Sequence, residues 1–246
     1  MNTSKYQFSR LLGCLGLGVV LLAPWSFALA GSFSVTPVRI YMTPRDRAVA
    51  ITITNEGDSP VALQADINLW SQKPDGTDEL VLTEDMVLSP PIIKLAPKAR
   101  QVVRLALLKP ADASRQLTYR LIVREVPEAS VPKSNNIEVP IALALSMPVF
   151  ITPPIAKREM ACQAVREGAA LMASCSNIGS AYAQIREITL QRGTQTVARF
   201  EGGAYILPGA RKSIAIKTEQ AVSAGEAVMH VVFDDNKSQS FNVTLP

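Results

Sequence analysis

Few residues of this chain could serve acid–base or nucleophilic chemistry. His230 is the only histidine among 246 residues, and it lies in an apolar stretch typical of a packed strand. A serine or cysteine nucleophile normally needs a positioned general base. The acidic pairs Glu84-Asp85 and Asp234-Asp235 are adjacent in sequence, and adjacent side chains on an extended chain point to opposite faces. With no phosphate-binding loop, dinucleotide fingerprint or histidine-rich metal motif, the sequence predicts a protein that is not an enzyme and uses no cofactor or metal.

Cys162 and Cys175 are interpreted as a disulfide. The third cysteine of the sequence, Cys14, lies in an N-terminal segment that we expect to be removed, and an even number of cysteines in an exported mature chain indicates a disulfide framework. The two residues are thirteen positions apart with Gly168 between them, which suits two strands of a hairpin and is too wide for a CxxC redox or zinc motif. The bond would stabilise the fold by up to roughly 3 kcal/mol in the chain-entropy description.

The N-terminus has the pattern of a secretory signal peptide. Lys5 and Arg10 precede an apolar run over residues 11–22, and the small-residue motif Ala-Leu-Ala ends at residue 30. The run is about a dozen residues long, whereas a membrane-spanning helix needs roughly 20. We therefore expect residues 1–30 to be cleaved, the mature chain to begin at Gly31, and no stable membrane insertion.

The charge of the mature chain excludes one class of partner. Residues 1–30 contain two Lys or Arg and no Asp or Glu, so their removal lowers the formal charge from +4 to +2. Nucleic-acid binding is expected to show clustered basic residues, and the sequence has no such cluster. We expect no nucleic-acid partner.

Alternation with a period of two residues dominates the mature sequence, and no window shows a helical stripe with caps. The chain is therefore predicted to be all-β. Trp70 ends one strand and is predicted to be a core or rim aromatic of the first sandwich. Seven short strands separated by turn residues indicate an immunoglobulin-like sandwich, and we place them at residues 35–41, 48–55, 61–70, 92–95, 101–107, 116–126 and 137–151.

Two consecutive prolines, Pro153 and Pro154, interrupt this pattern. Proline cannot donate to a strand ladder, so we place the domain boundary there, with one domain over residues 31–152 and another over 155–246. The second is predicted to be a smaller sandwich that carries the disulfide. Its strands are placed at residues 160–167, 169–177, 183–192, 196–201, 212–217, 227–234 and 238–245.

The segment 137–151 differs from the other strands. Large apolar residues occupy every second position along it, Glu138 is its only charged residue, and it contains Pro140 and Pro148. Fifteen extended residues span about 50 Å, and proline favours sheet edges, so part of the segment is expected on an edge. A strand at such an edge can pair with another protein and complete that protein's sheet. The alternative is an ordinary last strand with one face in its own core. The polar segment 128–135 before it is expected to be a loop.

The sequence resembles the PapD-like periplasmic pilus chaperones of the chaperone-usher pathway, and within them the archaic branch. The resemblance covers essentially the whole mature chain, more weakly in its second half. It is carried, in order, by VTPVRIYM, NEGD, LSPPIIKLAPKARQVVRL, YRLIVREVP, IALALSMPVFITP, CSNIGSAYAQI and YILPGARKSI. It implies two immunoglobulin-like sandwiches in a boomerang, a periplasmic location, and a cleft that binds pilus subunits and whose residues also interact with an outer-membrane usher.

The resemblance also implies a donor strand, which completes the sheet of a subunit that lacks its own final strand. The positions that match the donor side chains are Val139, Ile141 and Leu143, with Ile137 and Leu145 as extensions.

A basic pair in the family's cleft holds the C-terminal carboxylate of the subunit. Arg39 matches the family's arginine, but Pro148 stands at the lysine position. Candidate replacement cations are Arg104, Arg120 and Arg124. For Arg104 and Arg124, a structural ion pair or a solvated strand face is the competing interpretation.

The family's interdomain ion network would place Glu125 with Asp235, but its arginine position is Thr152 here, so we expect that network to be altered or absent. An alternative function is a two-domain adhesive or structural fimbrial protein. A pilin, however, would carry an N-terminal donor extension and a single incomplete sandwich, and neither is evident in the sequence.

Overall fold

The computed structural model describes residues 33–127, 142–218 and 222–246, which form strands and turns without a helix. No helix in these ranges is long and apolar enough to cross a membrane. The all-β prediction is confirmed.

The first sandwich is built from two sheets. The strands run in the order β1-β3-β8-β6 in one sheet and β2-β10-β9-β4-β5 in the other, where β7 also pairs with β4. Their bounds are β1 Phe33–Thr36, β2 Ile40–Met42, β3 Ala48–Asn55, β4 Val61–Gln72, β5 Asp78–Leu82, β6 Met86–Ser89, β7 Ile92–Leu95, β8 Arg100–Leu107, β9 Leu117–Glu125 and β10 Ala144–Ile151.

Alternate residues of these strands meet between the two sheets. Ile51, Leu63, Leu105, Leu121 and Val149 are completely buried in this first core. Burying an aliphatic side chain of this size contributes roughly 1.5 to 3 kcal/mol. The alternation of apolar residues that predicted the strands is therefore the pattern that builds the core.

The single strand predicted over residues 35–41 is wrong, because the chain changes sheets there. β1 pairs with β3 in the four-stranded sheet, whereas β2 pairs in parallel with β10 in the other sheet. Pro37 lies between them and cannot donate to either ladder. Two short strands thus tie the beginning of the sandwich to both sheets.

Strands β5 and β6 were not predicted. All five residues of β5 are exposed, so its sequence shows no alternation between buried and exposed positions. β6 has only four residues, of which two are buried. Short or wholly exposed strands lack the periodicity on which prediction from sequence depends.

Eight more strands form the second sandwich. Their order is β11-β12-β15 in one sheet and β16-β14-β13-β17-β18 in the other. The bounds are β11 Met160–Glu167, β12 Ala170–Asn177, β13 Ala183–Arg192, β14 Gln195–Ile206, β15 Arg211–Ala215, β16 Lys217–Thr218, β17 Gly225–Phe233 and β18 Ser238–Leu245. β14 extends five residues beyond its predicted end, and the predicted strand 212–217 is divided between β15 and β16.

The second sandwich has its own core, which includes Ile185, Ile188, Met229 and Val231. The members of the first core lie between Phe33 and Ile151, and those of the second lie between Met160 and Leu245. The prediction of two immunoglobulin-like sandwiches is confirmed. The division into 31–152 and 155–246 stays a prediction.

The predicted disulfide between Cys162 and Cys175 is confirmed. The two residues lie directly opposite each other on the antiparallel strands β11 and β12, with Cα atoms 4.1 Å apart. Cys175 is completely buried in the second core. The bond therefore connects the edge strand β11 to the strand beside it.

We predict that replacing both cysteines by serine lowers the free energy of unfolding by about 3 kcal/mol, because the unfolded chain regains the entropy of an open loop. Urea denaturation followed by circular dichroism measures the change. Wild-type protein reduced with dithiothreitol is the control and should lose a similar amount. An unchanged free energy of unfolding in the double serine variant would show that the bond contributes nothing.

Candidate functional site

Strand β10 is paired differently along its two halves. Val149, Phe150 and Ile151 lie between β2 on one side and β9 on the other. Residues 144–148 pair with β9, and no other strand of the described ranges pairs with them. Pro148 stands where pairing changes from one side to two, a position at which its missing N–H removes no ladder bond on the second side. The first half of β10 is thus an open sheet edge within the described structure.

Side chains of β10 alternate between two environments. Met147, Val149 and Ile151 are buried in the first core, and Leu143 and Leu145 are partly buried and pack against its border. The predicted donor residues Ile137, Val139 and Ile141 lie outside the described residues, as do Pro140 and the segment 128–135. The two donor positions that are described therefore contact the protein's own core, as the ordinary-strand interpretation also expects.

Phe150 faces away from the first core and enters an aromatic cluster that joins the two sandwiches. Its ring stacks on Tyr182 with centroids 3.9 Å apart and planes within 8°. The centroid of the Trp70 ring lies 6.1 Å from that of Phe150 and 5.3 Å from that of Tyr205, which it meets edge to face. Leu207 is buried with them. The prediction that Trp70 belongs to the core or rim of the first sandwich is wrong, because its side chain packs on the opposite face of the sheet, against the second sandwich.

Two glutamines connect the sandwiches through hydrogen bonds on either side of this cluster. Gln72 donates to the Tyr205 carbonyl at 3.1 Å and accepts from the Leu207 amide at 2.8 Å. Gln116 accepts from the Tyr182 amide at 2.8 Å and donates to Thr152 Oγ1 at 2.6 Å. Each glutamine therefore uses both ends of its amide group, which fixes the register between the two sandwiches.

The turn between β4 and β5 provides another contact. Gly76 has φ +82°, and a Cβ atom at this position would lie 2.6 Å from the Arg211 carbonyl oxygen. The Arg211 amide donates to the Pro74 carbonyl at 3.0 Å. A glycine is required here because any side chain would push the turn away from the second sandwich.

Arg39 lies in a cleft between the sandwiches. Its guanidinium contacts Asp234 at 3.2 Å, and the exposed fractions of the two side chains are 36% and 9%. The Tyr182 hydroxyl donates to the same Asp234 oxygen at 2.8 Å and lies 3.1 Å from the Tyr41 hydroxyl. The cleft encloses about 930 Å³, and its lining includes these four residues with Gln116, Thr152, Lys157, Arg158, Asp235 and Lys237.

Tyr182 remains a neutral donor in this cleft. Burial, together with the hydrogen bonds to Tyr41 and Asp234, raises the pKa of its phenol well above the usual value. Its single proton is therefore retained and donated to the carboxylate of Asp234, while the hydroxyl of Tyr41 supplies the proton of the bond between the two tyrosines. The Arg39 ion pair is thus supported by a second, uncharged donor.

Arg158 is the second cation beside Asp234. Its guanidinium stacks on the Phe233 ring at 3.8 Å, lies 4.0 Å from Asp234 and binds Asp235 at 3.2 Å. Partial burial favours the neutral form of Asp235, but the Lys237 amide and the Arg158 charge outweigh it and hold the pKa of that carboxyl below its usual value. The two carboxyl groups of the 234–235 pair therefore lie in one cluster with Arg39 and Arg158.

The three candidate replacement cations lie elsewhere, and none lines the cleft that contains Arg39. Arg120 stacks on Trp70 at 3.8 Å and is the cross-strand neighbour of Pro148. Arg124 forms an ion pair with Asp66 at 2.7 Å. Arg104 is exposed on β8, in the sheet that does not contain β10.

The interdomain ion pairs differ from those that the resemblance suggested. The Glu125 carboxylate accepts a long hydrogen bond, 3.5 Å, from the Leu143 amide, while Asp235 binds Arg158. Reasoning from sequence did not identify Tyr41, Tyr182 or Arg158. No sequence spacing predicts this cluster, because the residues around Asp234 come from distant parts of the chain. Arg39 and Asp234, for example, are 195 positions apart.

Comparison with known proteins agrees with this architecture. The sequence profile of the pili and flagellar-assembly chaperone family, PapD N-terminal domain, matches residues 32–157. The chain belongs to this family, which is one of chaperones and not of enzymes.

Individual relatives are more distant. The chain is 25% identical over 155 residues to the chaperone protein FimB/FhaD of Bordetella pertussis, a match that covers 60% of this chain and 61% of that relative. Its fold is similar to that of a chain in the crystal structure of the CsuC–CsuE chaperone–tip adhesion subunit pre-assembly complex from the archaic chaperone-usher Csu pili of Acinetobacter baumannii, with TM-score 0.65, 17% identity, and coverage of 88% of this chain and 100% of that chain. The fold is also similar to the E. coli chaperone DraB, with TM-score 0.57, 19% identity, and coverage of 87% and 97%.

We predict that Phe150→Ala lowers the free energy of unfolding by about 3 to 5 kcal/mol, because it opens a cavity between the buried Trp70 ring and the partly buried Tyr182 ring. Trp70 lies beside this ring, and the only other tryptophan is Trp25, so tryptophan fluorescence during urea denaturation reports the change. Val81→Ala, at a residue 61% exposed on β5, is the control and should change it by less than about 0.5 kcal/mol. Equal stabilities for the two variants would contradict the packing described.

Proposed function

We propose that this protein is a periplasmic chaperone that binds pilus subunits by strand donation and delivers them to an outer-membrane usher. The observation that carries the proposal is that, among the described strands, only β9 pairs with residues 144–148 of β10. The signal peptide expected over residues 1–30 supports export, and the family match supports the chaperone role. The fold likeness to the Csu complex supports placement in the archaic branch.

Strand donation follows from the chemistry of an open edge. Backbone N–H and C=O groups require partners when water is excluded, and an added strand supplies them while alternate side chains fill pockets. The proposed donor residues are Ile137, Val139, Ile141, Leu143 and Leu145. Gross burial of five aliphatic side chains would provide roughly 8 to 15 kcal/mol before the costs of association.

Arg39 is the proposed anchor for the C-terminal carboxylate of the subunit. Its guanidinium has five N–H donors in a planar fork, and Asp234 accepts from one of its terminal nitrogens. The side chain is also 36% exposed to the cleft. A second carboxylate can therefore approach the same cation, and a hydrogen bond between two charged groups is stronger than one between neutral groups.

Of the three candidates predicted for a second cation we favour Arg120, although none of the three lines the cleft that contains Arg39. It is paired in register with Pro148, the position at which the family's lysine is missing. Its stacking on Trp70 and Tyr205 orients the guanidinium without an ion pair to any described residue. Arg124 is already paired with Asp66, and Arg104 lies in the other sheet.

We expect that a pilus subunit expressed with the mature protein in the periplasm co-purifies with it in a one-to-one complex, and that Ile141→Asp abolishes the complex. A buried carboxylate without a partner costs several kcal/mol, which removes the gain from strand donation. Ile92→Asp is the matched control, because Ile92 is an isoleucine 64% exposed on β7, and it should retain the complex.

Both variants should unfold at the same urea concentration as the wild type, so that lost binding is not lost folding. If Ile141→Asp binds the subunit as well as Ile92→Asp does, segment 137–145 is not the donor. If the wild type binds no subunit, the alternative function, that of a two-domain adhesive or structural fimbrial protein, is favoured.

A further inference from the structure

The cleft between the sandwiches already holds a carboxylate, that of Asp234. This carboxylate accepts a hydrogen bond from Tyr182 at 2.8 Å, is bound by Arg39 at 3.2 Å, and has Arg158 at 4.0 Å on its other oxygen. The Asp234 side chain is only 9% exposed. Two guanidinium groups and a neutral phenol around one anion constitute a complete carboxylate-binding site.

We propose that the Asp234 carboxylate competes with the ligand for Arg39. Asp234 binds Arg39 in the free protein, and the α-carboxylate of a bound subunit replaces Asp234 on Arg39. The inference rests on the proposed function, in which Arg39 anchors that carboxylate. Asp234 thereby lowers the affinity of the cleft for the subunit's carboxylate, because this ligand must share or replace an existing ion pair. An unpaired Arg39 would bind the same carboxylate more tightly.

The charges of the cleft support competition. Its lining contains Arg39, Lys157, Arg158 and Lys237 against two acids, Asp234 and Asp235, so the cleft favours an anionic ligand. An incoming carboxylate on Arg39 would stand beside Asp234, and like charges this close repel each other strongly where water is partly excluded. Removing the Asp234 charge removes the repulsion and leaves Arg39 available.

Competition also couples binding to the contact between the sandwiches. Arg39 belongs to the first sandwich and Asp234 to the second, so a ligand that takes Arg39 breaks one interdomain ion pair. Gln72, Gln116 and the stacked rings do not depend on Arg39, so the rest of the interface persists. Coupling of this kind lowers affinity by a fixed factor and thereby favours later release of the subunit.

Asp234→Asn tests the proposal, because the amide has the same shape and can still accept from Tyr182. The probe is an acetylated hexapeptide of alternating valine and threonine, prepared with a free C-terminal carboxylate and as the C-terminal amide. Dissociation constants of both forms are measured by calorimetry. We expect Asp234→Asn to bind the carboxylate form about tenfold more tightly than wild type does, a factor within the usual range of coupling energies, with the amide form unchanged.

Asp235→Asn is the matched control, since Asp235 contacts Arg158 and Lys237 but not Arg39. It should change the affinity for the carboxylate form by less than about threefold. If Asp234→Asn binds the carboxylate form no more tightly than wild type, Asp234 positions Arg39 instead of competing for it, and the proposal is overturned. Should this variant be unfolded, Asp234→Ser removes the same charge and must show the same gain.

Arg39→Ala separates failure of this inference from failure of the proposed function. If Arg39 is the anchor, the variant loses the preference for carboxylate over amide that the wild type shows. An unchanged preference means that the carboxylate binds elsewhere, which refutes the anchor itself. A lost preference combined with no gain in Asp234→Asn refutes only the competition.

Discussion

Among the strands that the structure describes, β10 has one pairing partner over residues 144–148 and two over Val149–Ile151, and the other features depend on this change. The two-sided half fixes Val149 and Ile151 in the first core and directs Phe150 into the cluster that joins the sandwiches. The one-sided half leaves backbone groups available to another chain. Pro148 stands at the change, where its missing donor is tolerated. One strand thus connects the core, the interdomain contact and the open edge.

The contact between the sandwiches combines two kinds of interaction. The stacked rings bury apolar surface, and each of the two glutamines uses both ends of its amide group in hydrogen bonds, which favours a single arrangement. The ion pair between Arg39 and Asp234 is partly exposed, and in our proposal the carboxylate of a subunit replaces it. An interface with one exchangeable ionic contact would suit the proposed binding and later release of a subunit.

Much of this fold was predictable, because period-two alternation reports burial directly. Strands β3, β7, β11, β13 and β18 have their predicted bounds. The sheet change at Pro37 was missed because it does not interrupt the alternation, and the exposed strand β5 was missed because it has no alternation of buried and exposed residues. Trp70 was assigned to the wrong face because either face of a sheet can be apolar when a second domain covers it. The pairing of Asp234 with Arg39 depends on the meeting of two distant turns, which local pattern does not encode, and the role of Arg39 came from the resemblance alone.

Strand donation by residues 137–147 can be tested by backbone hydrogen exchange, measured by mass spectrometry with and without a bound pilus subunit. We expect the amides of residues 137–147 to exchange more slowly in the complex, because a new ladder forms along this edge. Exchange along β5, which is also an edge strand within the described structure, should remain unchanged. Slower exchange in β5 with none in residues 137–147 would contradict strand donation from this segment.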